Sequence, residues 1–258
     1  MSTDETNGHG ASTELGSAQR SASPEGAETV SGFLRTDDMA LMRLLQIVSP
    51  ALPIGAFAYS QGLEQTVAEG WVTDEAEAAA WLLGLLESSF ATLDLPVLAR
   101  LITAWRAGDL ASVERWSSWL TACRPTREIR AEDRQLGAAL ARVLVALDLE
   151  DAASWTTRTY VTHAAMFALA AVRFDVPIEA ALAGHAFSWA EAITSAAVRL
   201  VPLGQNAGQR LLAAAGAAIP AIVTRALRLP DHEIGSAAPG QAIASARHET
   251  LYSRLFRS

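Results

Sequence analysis

The chain has no lysine: all 20 of its basic residues are arginine. That removes the Schiff-base nucleophile and the glycine-rich loop closing on Lys-Ser or Lys-Thr that cradles nucleotide phosphates. Arginine remains as a forked donor for carboxylate or phosphate. Cys123 is the single cysteine, so neither an intramolecular disulfide nor a cysteine metal cluster can form within one chain, which suits a reducing, cytoplasmic compartment. No helix carries an HxxxH or HExxH pattern, and no cofactor or metal site is expected. The longest apolar run, residues 211–223, is short for a bilayer span and suits a core helix, so no membrane is expected. Residues 1–35 lack the basic start and apolar stretch of a signal peptide. Period-two alternation is missing as well, and with it any expectation of strands.

What is present is alanine and leucine, in a chain of 258 residues that is 50% hydrophobic. That composition favours helix and can bury a sizeable core. The formal net charge of −8 argues against nucleic acid as a main partner. The fold class expected is all-α, a single bundle-like domain of nine to ten helices over residues 37–229. Residues 1–36, rich in Ser, Thr, Gly, Ala and Glu, read as a disordered extension. Residues 230–258 read as a connector and a partner-docking tail.

Caps and breakers place the helices. Asp37 or Asp38 caps a first helix to Val48. Pro50, Pro53 and Gly55 then break the pattern in a partly buried turn. A second helix is expected from about Phe57, with Tyr59, Leu63 and Val67 on one face, ending at Gly70. Thr73 or Asp74 caps a third to Ala91, and Asp94 a fourth to Ala107. Residues 110–122 and 126–147 follow, then a polar connection over 148–154. Helices over 155–173, from Pro177 to Leu200, and over 205–227 with a kink at Pro220 complete the body. A short helical stretch, 241–246, lies in the tail.

Four groups of residues bear on chemistry. His163 and His185 sit inside apolar helices without neighbours at ligand spacing and read as core or groove histidines. The run Arg124, Arg127, Glu128, Arg130, Glu132, Asp133 and Arg134 reads either as a solvated face with ion pairs such as Arg130 with Asp133, or as an intermolecular contact. The Gly204–Gly208 corner reads as a tight turn between helices. The tail carries Leu251, Tyr252, Leu255 and Phe256 among Arg247, Arg254 and Arg257; it reads as docking either on a partner's groove or on its own bundle.

Residues Ser49, Pro53, Gly55, Ser60, Gly62, Leu63, Glu64, Gly70 and Trp71, the block CRPTRE at 123–128, VRLVPLGQ at 198–205 and IGSAAPGQAIASARHETLYSRLFRS at 234–258 resemble the UreF family of urease accessory proteins. The resemblance covers the chain from about Met39. It implies an all-α, dimeric, non-enzymatic scaffold that binds the accessory protein UreD (also called UreH) and recruits the GTPase UreG. That complex inserts nickel into apo-urease, driven by GTP hydrolysis. It implies partner-binding roles for Arg124, Arg127, Glu128, Arg247, His248, Leu251, Tyr252, Arg254, Leu255 and Phe256. It implies structural roles for Pro53, Gly55, Ser60, Gly62, Glu64, Pro202, Gly204 and Gln205. The competing reading is an α-helical hydrolase or metal-dependent enzyme built on His163 and His185, which requires their helices to converge on one cavity.

Overall fold

Ten α-helices and no strands make up residues 38–258, the part of the chain that the computed structural model describes. The expected extension over 1–36 lies outside the described residues. The helices are α1 (Asp38–Val48), α2 (Leu63–Ala68), α3 (Glu75–Leu85), α4 (Leu95–Ala107), α5 (Leu110–Cys123), α6 (Arg127–Ala146), α7 (His163–Arg173), α8 (Ile178–Leu200), α9 (Gln205–Arg228) and α10 (Pro239–His248). Side-chain caps start several of them: Asp74, Asp109, Thr126 and Thr162 each accept from the backbone N–H three residues on, which satisfies a donor that the first turn leaves unpaired.

The core is organised around α7. Its residues from Ala164 to Ala171 are all buried, and it packs against α4 and α6 most extensively. Small side chains let neighbours come close: a Cβ at Gly137 of α6 would lie 2.6 Å from the carbonyl carbon of Thr162. Across α7, Trp105 of α4 donates its indole N–H to the Ala165 carbonyl at 3.0 Å. α8 and α9 form the other large helix pair, joined through the Pro202–Gly204 corner, and α9 runs unbroken through Pro220.

Three sequence expectations are corrected. The second helix starts at Leu63 rather than Phe57. Gly55 at φ 81 opens a 3-10 turn over Ala56–Ala58, Tyr59 is extended, and Gln61 (φ 51) and Gly62 (φ 89) turn left-handed before the helix begins. The third and fourth helices fuse into one rod, Glu75–Ala107, through a π-helical segment over Leu86–Asp94. Asp94 is helical there (φ −63, ψ −52) and caps nothing. Pro96 has no N–H to give the Thr92 carbonyl, and that carbonyl accepts from Gly235 instead, while the Ser88 carbonyl accepts from Ala237. The π segment is thus where the 235–237 connector attaches. Finally, the helix expected over 155–173 begins only at His163, after a 3-10 turn over Glu150–Trp155 and an irregular stretch that ends at the Thr162 cap.

By length and composition the rod Glu75–Ala107 and α9 are each apolar enough to cross a membrane. In the rod's most apolar window 72% is buried within the protein, as expected of a core helix.

Candidate functional site

Two polar clusters lie within the fold, and the residues singled out from the sequence fall mostly on one of them. The first is centred on Glu64 in α2. Its carboxylate accepts the backbone N–H of Leu255 at 2.6 Å and of Phe256 at 2.9 Å, and faces His248 Nε2 at 3.1 Å. The other ring nitrogen, Nδ1, lies 2.7 Å from Glu128, whose second oxygen takes Arg254 at 2.6 Å. Each imidazole nitrogen thus faces a carboxylate oxygen, and both carboxylates accept from other donors as well. Beside it, Ser60 donates its N–H and its hydroxyl to the Ser258 carbonyl, and Ser258 donates its own hydroxyl to Glu132 at 2.7 Å.

The segment after α10 is therefore docked on its own chain. His248 and Ser258 are fully buried and Phe256 nearly so, whereas Tyr252 and Leu255 stay exposed. Of the tail's apolar residues Phe256 packs in the main cluster, the contact that docking on its own bundle makes. Gly62 makes the docking possible: a Cβ there would sit 3.0 Å from the Ser245 backbone nitrogen of α10, at a φ that side chains rarely adopt. Thr126 and Ser245 join hydroxyls 2.7 Å apart across the same contact. Arg247 pairs with Glu69 at 2.5 Å and lies over the Trp71 ring.

The second cluster lines a partly open cavity of about 100 Å³ whose walls include His163, His185, Glu132, Asp133, Arg124 and Trp189. Arg124 is held between Asp94 at 2.7 Å and Asp133 at 2.9 Å. It ties the rod to α6, with 15% of its side chain left exposed. The expected pair of Arg130 with Asp133 is replaced: Arg130 donates to the Arg124 carbonyl. Glu132 and Asp133, read as part of a solvated face, are 4% and 7% exposed. Of that run, Arg127 faces solvent, with its backbone N–H on Glu249. Pro202, Gly204 and Gln205 stand apart at the α8–α9 corner, in neither cluster.

Burial pushes the Glu132 carboxyl up to about 7, against hydrogen bonds from Ser258 and Gln61 that pull it down. Burial likewise lowers His163 to about 4 and His185 well below the ordinary imidazole value. The two helices do converge: the imidazoles lie with centroids 5.1 Å apart. Both rings are neutral at pH 7, and His163 Nε2 and His185 Nδ1 have no hydrogen-bond partner. Asp133 spends its oxygens on Arg124 and on the His163 backbone N–H at 2.8 Å, so it does not orient an imidazole as a general base requires. Among the described residues no three His, Cys, Asp or Glu side chains group closely enough to hold a metal.

Sequence reasoning missed Gln61 and Glu132 as organisers. Gln61 donates to Glu132 at 2.7 Å and accepts from the Trp189 indole at 2.9 Å, joining α6 and α8 to the turn before α2. A signal existed: Ile129, Leu136, Leu140 and Leu144 form the apolar stripe of α6, and Glu132 and Asp133 fall within it.

The family model of UreF matches residues 72–216. The chain is 47% identical over 220 residues to the urease accessory protein UreF of Alkalilimnicola ehrlichii, covering 85% of this chain and 96% of that one. It is 46% identical over 221 residues to the UreF of a Pseudomonas putida strain, covering 86% and 99%. With the UreF of an Azoarcus species it shares 47% over 225 residues, covering 85% and 96%. The motif blocks, the all-α fold and these matches agree, and the chain belongs to the UreF family.

Proposed function

We propose that this chain is a non-enzymatic, cytoplasmic scaffold in urease maturation, a homodimer that joins a UreD-type protein to a UreG-type GTPase in the complex that inserts nickel into apo-urease. The observation that carries the reading is the docked tail. Glu64, Glu128, His248 and Phe256 fix it on the body, and Tyr252, Leu255 and part of Arg254 are left facing outward. Aromatic and aliphatic side chains held outward on a rigid base lose little freedom when a partner covers them. In this reading Tyr252, Arg254, Leu255, Leu251, Arg247 and Arg127 contact the partner, while Arg124, Glu128, His248 and Phe256 position them. The exposed Met39, Leu41, Met42 and Leu45 of α1 supply an apolar face that supports self-association.

Deleting the tail is a poor test, because it strips Glu64 and Glu132 of their partners. The double substitution Tyr252→Ala and Leu255→Ala removes only exposed side chains. It should leave the melting temperature within about 2 °C of wild type and abolish co-elution with the UreD-type partner. Full-strength co-elution defeats the proposal. Turnover of GTP, or of any ester or amide, by the purified chain defeats the non-enzymatic part of it.

A further inference from the structure

A second cleft, of about 740 Å³, opens between the Pro53–Tyr59 turn, α6, residues 156–158 and the tail. Four arginines line it, Arg134, Arg142, Arg158 and Arg257, and not one carboxylate does. That is an unusual concentration in a chain of net charge −8. Most arginines of the described residues are engaged by carboxylates or carbonyls; the side chains of Arg134 and Arg142, both exposed, are engaged by nothing, and that of Arg257 meets the Tyr59 hydroxyl while its backbone N–H donates to the Ala58 carbonyl. Arg158 is held at the wall by Glu114 and the Tyr160 hydroxyl at 2.7 Å. Between these cations lie Ile54, Ala58, Ala138 and Ala139.

Unpaired guanidiniums around an apolar floor call for an occupant with carboxylates and a carbon backbone. A water takes about 30 Å³ in the liquid, so the cleft has room for a chain segment rather than one ion. Arg134 and Arg142 are two helical turns apart, roughly 12 Å at 1.5 Å per residue. An extended peptide rises about 3.3 Å per residue, so carboxylates four residues apart on one side of it match that spacing. We propose that this cleft binds an extended acidic segment of a partner protein, with two acidic side chains four residues apart taken by Arg134 and Arg142. Neither Tyr252 nor Leu255 lines the cleft, and the proposal stands apart from the urease role.

The test is fluorescence anisotropy of the full chain with a labelled octapeptide of alternating glutamate and serine. Wild type should bind it, and Arg134→Glu with Arg142→Glu should weaken binding at least about tenfold. Arg134→Gln with Arg142→Gln, which removes charge without reversing it, should weaken it in the same direction, and circular dichroism of both variants should match wild type. Arg228→Glu, half the charge change of the double glutamate variant at an exposed, unpaired arginine on α9, should shift it less than about twofold. The proposal fails if the double variants bind like wild type, or if Arg228→Glu weakens binding as much as they do, which would mean diffuse charge alone. It also fails if inorganic phosphate at matched ionic strength displaces the peptide, which would make this a small-oxyanion site.

Discussion

Two polar groupings within the fold, one around Glu64 and one the His163–His185 pair, are accommodated in opposite ways. At Glu64 both carboxylate oxygens are taken, by two backbone N–H groups and an imidazole. At the histidines, two ring nitrogens are left without partners and the rings stay neutral. The first arrangement keeps charges inside by pairing each of them, and removing one member exposes the rest. The histidine pair itself carries no charge and leaves two ring nitrogens unbonded, although Arg124 in the same cluster is a charge held between Asp94 and Asp133. One cluster should therefore be brittle to substitution, and the other forgiving.

The largest effect should come from Glu64→Ala. It strands His248, leaves the Leu255 and Phe256 N–H groups unpaired, and should cost about 3–5 kcal/mol in denaturant unfolding, with residues 247–258 losing hydrogen-exchange protection. A wild-type midpoint would remove the tail from the fold's framework.

Glu132 bridges the two clusters, and its effect should depend on pH. Folding raises its pKa from 4.5 to about 7, so between those values the folded chain holds a proton that the unfolded chain has released. Stability should fall as pH rises through that window and settle lower above 7. Glu132→Gln removes this fall, so the stability difference between variant and wild type should change by up to about 3 kcal/mol between pH 5 and pH 8. His163 acts in the opposite sense: its lowered pKa makes stability rise as pH climbs from about 4 to 6.5. That contribution is present in both proteins and cancels in the comparison. Parallel pH profiles would remove Glu132 from the account.

Smaller still, Gly62→Ala should cost about 1–3 kcal/mol through its positive φ and its contact with Ser245, and should loosen α10 more than Gly55→Ala, whose Cβ meets nothing within 4 Å. Least of all, His185→Phe should change stability by no more than about 1 kcal/mol, because no hydrogen bond is lost. A drop of several kcal/mol there would show that the histidine cavity is as tightly paired as the Glu64 cluster.

Much of this fold could be read from local signals. Asp74, Asp109 and Thr126 cap where their residue types indicate, and Gly70 and Gly108 turn left-handed. Alanine and leucine without alternation gave the all-α class. Two of the three boundary errors share one cause: a residue whose local preference was overruled by a distant partner. Asp94 looks like a cap but is engaged by Arg124, thirty residues on, and Pro96 looks like a helix start but sits inside a rod whose freed carbonyl is claimed by Gly235. Ser60 is drawn out of a helix by Ser258. The motif blocks identified the family and most members of the Glu64 cluster, but not their geometry, because α2, α6 and the tail meet only after the chain has closed on itself.

That closure also sets an order of events during synthesis. Glu64 and its partner Leu255 are 191 residues apart. At 5–20 residues per second, a ribosome takes about 10–40 s to cover that distance. Through that interval α2 and the turn before it exist without the segment that covers them, and Glu64 must stay hydrated. The helices of residues 75–228 have local partners and can assemble meanwhile. The nascent chain therefore carries an open seam along α2 until residue 256 emerges, and that seam is where a stalled or prematurely released chain would expose apolar surface.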